Sequence, residues 1–192
     1  MEPISGKAIW NEATKAGLMF GLISVAFNYV NIYLGTLVGS SFVLNFLSTV
    51  MMWVLRIAKV VGLILLMRAC MRRLTRNYSE VTNGDTFFLG VAISILSAII
   101  VAGFALLDYT VLLSAYYQDL KTQVMTEMAQ YMDANLCATM ENTLANFSGP
   151  MFWGTLFYCI LWGVILSRIL SRRIPDQDPF ANFPQSDNPD QQ

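Results

Sequence analysis

The 192-residue sequence contains no histidine and few charged residues. Without histidine, the chain lacks the commonest general base of enzymes and the commonest neutral metal ligand. Charged residues make up 13% of the chain and hydrophobic residues 55%, whereas ordinary soluble domains have about 25% charged residues. The net charge of −1 provides no basic field to attract nucleic acid. These deficits favour a protein with several membrane spans over a soluble domain.

Residue sets that support catalysis are missing as well. The sequence shows no paired carboxylates, no nucleophile with a neighbouring base, no metal-ligand cluster and no phosphate-binding glycine loop. Cys70, Cys137 and Cys159 lie in separate segments without a C-x-x-C pair, which favours buried apolar thiols over redox or metal groups. We therefore predict that the protein is not an enzyme and needs neither a metal nor a cofactor.

Four apolar segments are long enough to cross a bilayer, because about 20 apolar residues suffice. The first is too long for the apolar part of a cleaved signal peptide, so we expect it to stay in the mature protein. In lipid each segment must be helical, since no water is present to satisfy unpaired backbone groups. The sequence thus predicts an all-α polytopic membrane protein, an antiparallel four-helix bundle within residues 1–174, with spans at about 16–36, 42–67, 87–113 and 151–170.

The distribution of arginine predicts the orientation of the chain. Four arginines follow the second span, between Arg68 and Arg76, and three more, at 168, 172 and 173, close the fourth. The link at 35–41 between the first two spans carries no charge. Because positive loops stay in the cytoplasm, we expect both termini to be cytoplasmic. Residues 175–192, rich in proline and aspartate, are predicted to form a disordered tail.

The connecting segment between spans three and four, about residues 114–147, is predicted to face outward. Its apolar side chains recur every three to four residues with acidic ones between them, which indicates one long amphipathic helix or two. Two interpretations remain open. The segment packs on the mouth of its own bundle, or it forms a docking surface to which its methionines would adapt.

Each span also has one face of small or polar residues at helical spacing. Small residues let membrane helices approach closely, and polar ones avoid lipid by facing one another. We therefore expect these faces to meet inside the bundle. They comprise residues 17, 21, 24, 28, 31 and 35, then 45, 49, 52, 56 and 59, then 90, 94, 97, 101, 104 and 108, and finally 155, 159, 163 and 167.

Arg56 and Lys59 in the second span are the most informative residues. A charge at the centre of a membrane helix costs roughly 2.5–3.5 kcal/mol on insertion scales. Three explanations remain open: Lys59 snorkels while Arg56 pairs with Asp108 or with carbonyls, the two cations hold an anion, or they meet an acidic residue of a partner. The candidate site comprises Arg56, Lys59, Asp108, Asn28, Asn31, Asn45 and Thr49.

Several local motifs recur in a known arrangement. These are the glycines Gly17 and Gly21, the arginine-rich turn leading through Tyr78 to Gly84–Gly90, Pro150-Met151-Phe152, and Ser171-Arg172-Arg173. The layout resembles a family of uncharacterised four-span inner-membrane proteins of bacteria, chiefly Bacteroidota, catalogued as a domain of unknown function. Members usually show a basic and aromatic group where this chain has Phe88-Leu89. The resemblance implies the fold and a bacterial inner membrane, but no mechanism.

Two functions follow as expectations. The first is a non-enzymatic accessory or scaffold subunit that binds a partner through the connecting segment and the charged second span. The alternative is a small carrier or lipid-binding protein that holds an anionic group at Arg56 and Lys59. The expected partners are membrane lipids and either another membrane protein or a second copy of the chain, without nucleic acid.

Overall fold

A computed structural model describes residues 5–36, 42–78 and 81–172, and within these ranges every regular element is a helix. The predicted tail, 175–192, and most of the link at 35–41 lie outside the described residues. The helices are α1 (Gly6–Thr36), α2 (Phe42–Asn77), α3 (Asn83–Leu107), α4 (Ser114–Met128), α5 (Ala134–Ala145) and α6 (Ser148–Ser171), with a π-helical turn at Asp108–Leu112 after α3.

Among the described residues, four helices are long and apolar enough to cross a membrane: α1, α2, α3 with its π-helical turn, and α6. The predicted all-α fold with four spans is thereby confirmed. All four helices extend beyond their predicted spans, most of all α1, which starts at Gly6, and α2, which continues to Asn77. Hydropathy marks the part of a helix that suits lipid, whereas hydrogen bonding continues into the polar ends.

The central helix of the bundle is α3, which packs along both α1 and α6. Glycines make these approaches close. A Cβ atom added at Gly17 would lie 2.7 Å from Leu96 Cβ, and one at Gly21 would lie 2.8 Å from Ile100 Cβ. Gly163 of α6 has no room for a Cβ beside Ser94. The small faces predicted for α3 and α6 therefore meet each other, whereas the small face of α1 packs against bulky side chains of α3, Leu96 and Ile100.

The largest apolar core lies at the end of the bundle where the arginines cluster, which we call the basic end. Fully buried side chains from α2 and α3, including Met71, Leu74, Leu89 and Ile93, pack there with residues of α1 and α6. Away from this core, α2 stays against α1 but approaches α3 and α6 much less closely. The second helix is consequently the most exposed of the four spans.

The connecting segment forms two helices, α4 and α5, separated by residues 129–133. None of the described side chains in either helix is buried. The segment meets the bundle at Tyr109, whose hydroxyl donates a 3.1 Å hydrogen bond to the carbonyl of Leu144 and whose ring lies 5.3 Å from that of Tyr117. Without buried side chains, the segment does not pack tightly on its own bundle.

Aromatic side chains mark both ends of the spans. At the basic end, the half-exposed rings of Trp10 and Phe88 lie 6.3 Å apart. At the opposite end, Tyr109 contacts Tyr117 and Phe147. Phe88 and Tyr109 are 21 residues apart, or about 31 Å along a helix, which matches a hydrocarbon core about 30 Å thick. Such rings favour the membrane–water interface, so these two levels mark the limits of the part of the bundle that suits the hydrocarbon core.

Candidate functional site

The inward face of α2 differs from the predicted one by a small rotation. The sequence favoured Thr49 and Arg56 as inward residues, but both are exposed. The predicted residues follow one another at steps of four and then three, whereas the residues that pack follow at steps of three and then four. Both patterns repeat every seven residues and form a continuous stripe along one side of a helix. The half-buried or buried residues along it are Asn45, Ser48, Met52, Leu55 and Lys59.

Lys59 extends from this face toward the interior of the bundle. Its ammonium donates a 3.0 Å hydrogen bond to the side-chain oxygen of Asn28 on α1. Lys59 also lines a cavity of about 390 Å³ that lies between α2, α3 and α6 and is bounded by α1. Among the described residues no carboxylate forms an ion pair with Lys59. The amide therefore supplies a partner for the ammonium but does not neutralise its charge.

The cavity is mostly apolar, with a few hydroxyls opposite Lys59. Ser94 and Ser97 line it, yet each donates its hydroxyl hydrogen to a carbonyl of its own helix, at 2.7 and 3.1 Å. Their oxygens can therefore accept hydrogen bonds, while the charged donor in the cavity is the ammonium of Lys59. The remaining wall consists largely of aliphatic and aromatic side chains, including Leu63 and Trp162. This chemistry suits an amphiphile with a single anionic group.

Arg56 lies outside the bundle, which corrects the expectation that both cations share the interior face. Its side chain is exposed, and the guanidinium carbon lies 5.4 Å from the centre of the Trp53 ring. No acidic side chain within the described ranges pairs with Arg56. Arg56 is fourteen residues, about 21 Å, from the start of α2 at Phe42 and twelve residues, about 18 Å, from Arg68, the first arginine at the basic end. That depth is near the centre of a bilayer core.

Asp108 is buried, and Tyr29 supplies its partner in place of the anticipated Arg56. The Tyr29 hydroxyl donates a 2.5 Å hydrogen bond to the carboxylate. Asp108 also begins the π-helical turn, where its carbonyl accepts the N–H of Leu113 at 2.9 Å. Outside the spans, burial raises the pKa of Tyr117 in α4, with a further contribution from the negative charge of Asp108. Sequence reasoning missed Tyr29, although a phenol is a suitable donor to a buried carboxylate.

The other predicted residues do not join Lys59 in a single site. The side-chain amide of Asn31 donates to the carbonyl of Phe27 at 3.1 Å. The side-chain oxygens of Asn31 and Asn45 are buried without a hydrogen-bond partner among the described residues. Thr49 donates to the carbonyl of Asn45 at 2.8 Å on the exposed side. The seven predicted residues thus separate into a Lys59–Asn28 pair in which Asn28 is exposed, a buried Asp108 with Tyr29, two buried asparagine oxygens, and two further exposed residues.

Within the described ranges, no three Cys, Asp or Glu side chains are placed to hold a metal ion. Among the residues predicted for the site, two features have binding chemistry, the cavity at Lys59 and the exposed guanidinium of Arg56. Comparison of the chain with protein-family models, with curated proteins and with solved structures finds no match in any of the three.

Proposed function

We propose that the protein is a non-enzymatic accessory subunit of a membrane complex and that it binds its partner through the exposed face of α2. One observation carries the proposal. Arg56 lies near the middle of a helix long and apolar enough to span a membrane, on its exposed side, and no carboxylate among the described residues pairs with it. The apolar neighbours Val54 and Ile57 are also exposed and suit contact with lipid, whereas the charged guanidinium of Arg56 does not suit such contact.

The magnitudes favour a partner over lipid around Arg56. An exposed cation–π contact such as that with Trp53 contributes about 0.5–1 kcal/mol. The cost of an arginine at the centre of a span is roughly 2.5–3.5 kcal/mol on insertion scales. The tryptophan therefore offsets only part of the cost. A carboxylate on a neighbouring helix would offset the remainder through a charge-assisted hydrogen bond in a medium of low dielectric constant.

The partner is a different membrane protein that carries an acidic residue at the depth of Arg56. In the described spans of this chain, the acidic residues are Glu12, Asp85 and Asp108. Glu12 and Asp85 lie near the basic end, and Asp108 is buried and bonded to Tyr29. A second copy would therefore offer no exposed carboxylate at the required depth. Charge complementarity favours a partner of another sequence.

The proposed location is the inner membrane of a bacterium, with the basic end in the cytoplasm. Six of the arginines that close α2 and α6 lie in the part of the chain that the structure describes, at the same end as the start of α3. The positive-inside rule then places both termini in the cytoplasm and the connecting segment outside. The family resemblance supports a bacterial membrane. The unburied helices α4 and α5 provide a second surface for the partner.

Photocrosslinking in native membranes tests the proposal. A benzoylphenylalanine at Ile57, which is 61% exposed beside Arg56, is expected to capture a discrete membrane protein. The same probe at Leu161 of α6, which is 59% exposed, is the matched control and should label lipid. Arg56→Gln should abolish the Ile57 adduct, while Arg72→Gln at the basic end should not. Equal lipid labelling at both positions, unaffected by Arg56→Gln, would contradict the proposal.

The cavity at Lys59 supports a second candidate function, the binding of an amphiphile with an anionic head group. A half-buried ammonium without a carboxylate borders about 390 Å³ of mostly apolar space. The two functions use different cations, so a fluorescent fatty acid titrated into purified protein distinguishes them. Lys59→Gln should lower its affinity about tenfold, and Arg56→Gln should leave it unchanged. If Lys59→Gln binds the fatty acid as tightly as the native protein, this second function is wrong.

A further inference from the structure

A second cavity lies between α1 and α2 at the basic end and plays no part in the proposed function. Its volume is about 200 Å³. Lys15 of α1 and Arg73 of α2 line it from opposite sides, together with Glu12 and Asn77. The two cations belong to different helices, so the fold brings them to one cavity.

The charges around this cavity are unbalanced. Two cations face one carboxylate, and among the described residues neither Lys15 nor Arg73 is within ion-pair distance of an acidic side chain. Asn77 adds an amide that can donate hydrogen bonds. An ammonium, a guanidinium and an amide around one space are donors that suit the oxygens of a phosphate group. We propose that this cavity binds a phosphate group, that of a membrane phospholipid.

The depth of the cavity favours a lipid over free phosphate. Lys15 is five residues further along α1 than the interfacial ring of Trp10, or about 7.5 Å deeper, and its long side chain can reach back to the level of the head groups. Met19, one turn deeper, lines the same cavity and is 44% exposed. The site is therefore basic at the end near the head groups and apolar at the end toward the bilayer centre. Basic pockets between helices on the cytoplasmic side are known to bind anionic head groups.

The general preference for arginine on the cytoplasmic side does not account for this arrangement. That preference explains the number of arginines but not their convergence on a cavity. Arg72 and Arg73 are neighbours with the same charge, yet only Arg73 lines the cavity, while Arg72 is exposed elsewhere on the helix. The chain thus provides its own control for a nonspecific charge effect.

Native mass spectrometry of protein extracted from membranes that contain phosphatidylglycerol tests the site. The native protein should retain one phospholipid after washes with detergent. Lys15→Gln and Arg73→Gln should each lower the retained fraction about fivefold, and the double variant should retain almost none. Arg72→Gln should behave like the native protein. In a second arm, delipidated protein is titrated with inorganic phosphate, and binding without lipid retention would show that the site takes free phosphate and would overturn the lipid assignment.

Two controls keep the result interpretable. Circular dichroism and the thermal unfolding midpoint establish that each variant is folded, and Lys15→Arg, which keeps the charge, should restore lipid retention. If folded Lys15→Gln/Arg73→Gln protein retains phosphatidylglycerol as well as Arg72→Gln does, the proposal is wrong. Because Arg56 is unchanged in all these variants, crosslinking at Ile57 reports on the proposed function independently.

Discussion

Asn28 and Tyr29 are consecutive residues of α1, and each bonds a charged side chain of a different neighbouring helix. Asn28 accepts a hydrogen bond from Lys59 of α2, and Tyr29 donates one to Asp108 of the π-helical turn that follows α3. Residues that follow one another on a helix differ by about 100° in direction and 1.5 Å in height. The first helix therefore binds a cation of one neighbour and an anion of another through two consecutive residues that point in different directions.

Replacing Asn28 by leucine should destabilise the bundle, because the partly buried ammonium of Lys59 loses its acceptor. Because this bond is exposed on the side of Asn28, the expected loss is that of an ordinary hydrogen bond, about 0.5–1.5 kcal/mol. We expect a lower thermal unfolding midpoint in detergent for Asn28→Leu. The double variant Asn28→Leu/Lys59→Met should recover most of the loss, since both polar groups are then removed. Purely additive losses would show that the hydrogen bond does not contribute to stability.

Tyr29→Phe should destabilise the protein through Asp108, whose carboxylate is buried and accepts the phenol's hydrogen bond. The expected loss is about 1–3 kcal/mol in the free energy of unfolding. Tyr158→Phe is the matched control, because Tyr158 is 65% exposed on α6. Denaturant titration in mixed micelles gives the comparison. An equal effect of the two substitutions would mean that loss of a hydroxyl, rather than loss of this bond, is responsible.

Gly90→Ala should disrupt the contact between α3 and α6. A methyl group at this position would overlap the hydroxyl of Ser167 and lie 2.7 Å from the terminal carbon of Met71. Overpacking of this kind costs about 1–3 kcal/mol. Gly103→Ala in the same helix has no atom within 4 Å of the added carbon, so its unfolding midpoint should be unchanged or slightly higher. A midpoint for Gly90→Ala equal to that of Gly103→Ala would contradict the close approach of α3 and α6.

Chymotrypsin should cut the connecting segment at Tyr131, which lies between α4 and α5 and is 86% exposed. In the proposed orientation, cleavage occurs when the protease is added to spheroplasts and not when it is added to inverted vesicles. Tyr131→Ser removes the cut and identifies its position. Cleavage in inverted vesicles with protection in spheroplasts would reverse the orientation, and protection from both sides would show that another protein covers the segment.

The sequence predicted what depends on local spacing. Glycines four residues apart, such as Gly17 and Gly21, identify a close-packed helix face directly, and the structure places that face against α3. The rotation of α2 was not predictable in the same way. When a helix face repeats every 3.5 residues, either of two neighbouring residues can lie on it. The polarity of Arg56 favoured that residue in the prediction, but in the structure Leu55 lies on the packed face.

The missed partner of Asp108 has a different cause. The bond from Tyr29 joins residues that are 79 positions apart, and it depends on the register of α1 against α3. Contacts between glycines and bulky side chains, such as Gly21 with Ile100, set that register. The spacing within one helix contains no information on its height relative to another. The same limit applies to the cavity at Lys59, which exists because α2 lies apart from α3 and α6.

The break after the π-helical turn has a mechanical consequence. At Leu113 the backbone leaves the helical region, with φ of −122° and ψ of 23°, before α4 begins. A continuous helix therefore does not join the third span to α4 and α5, and Tyr109 contacts both of them through its hydrogen bond to Leu144 and its ring contact with Tyr117. The pair is joined to the spans at two non-helical points, Leu113 and residues 146–147, so no continuous helix connects it to the charged side chains within the bundle.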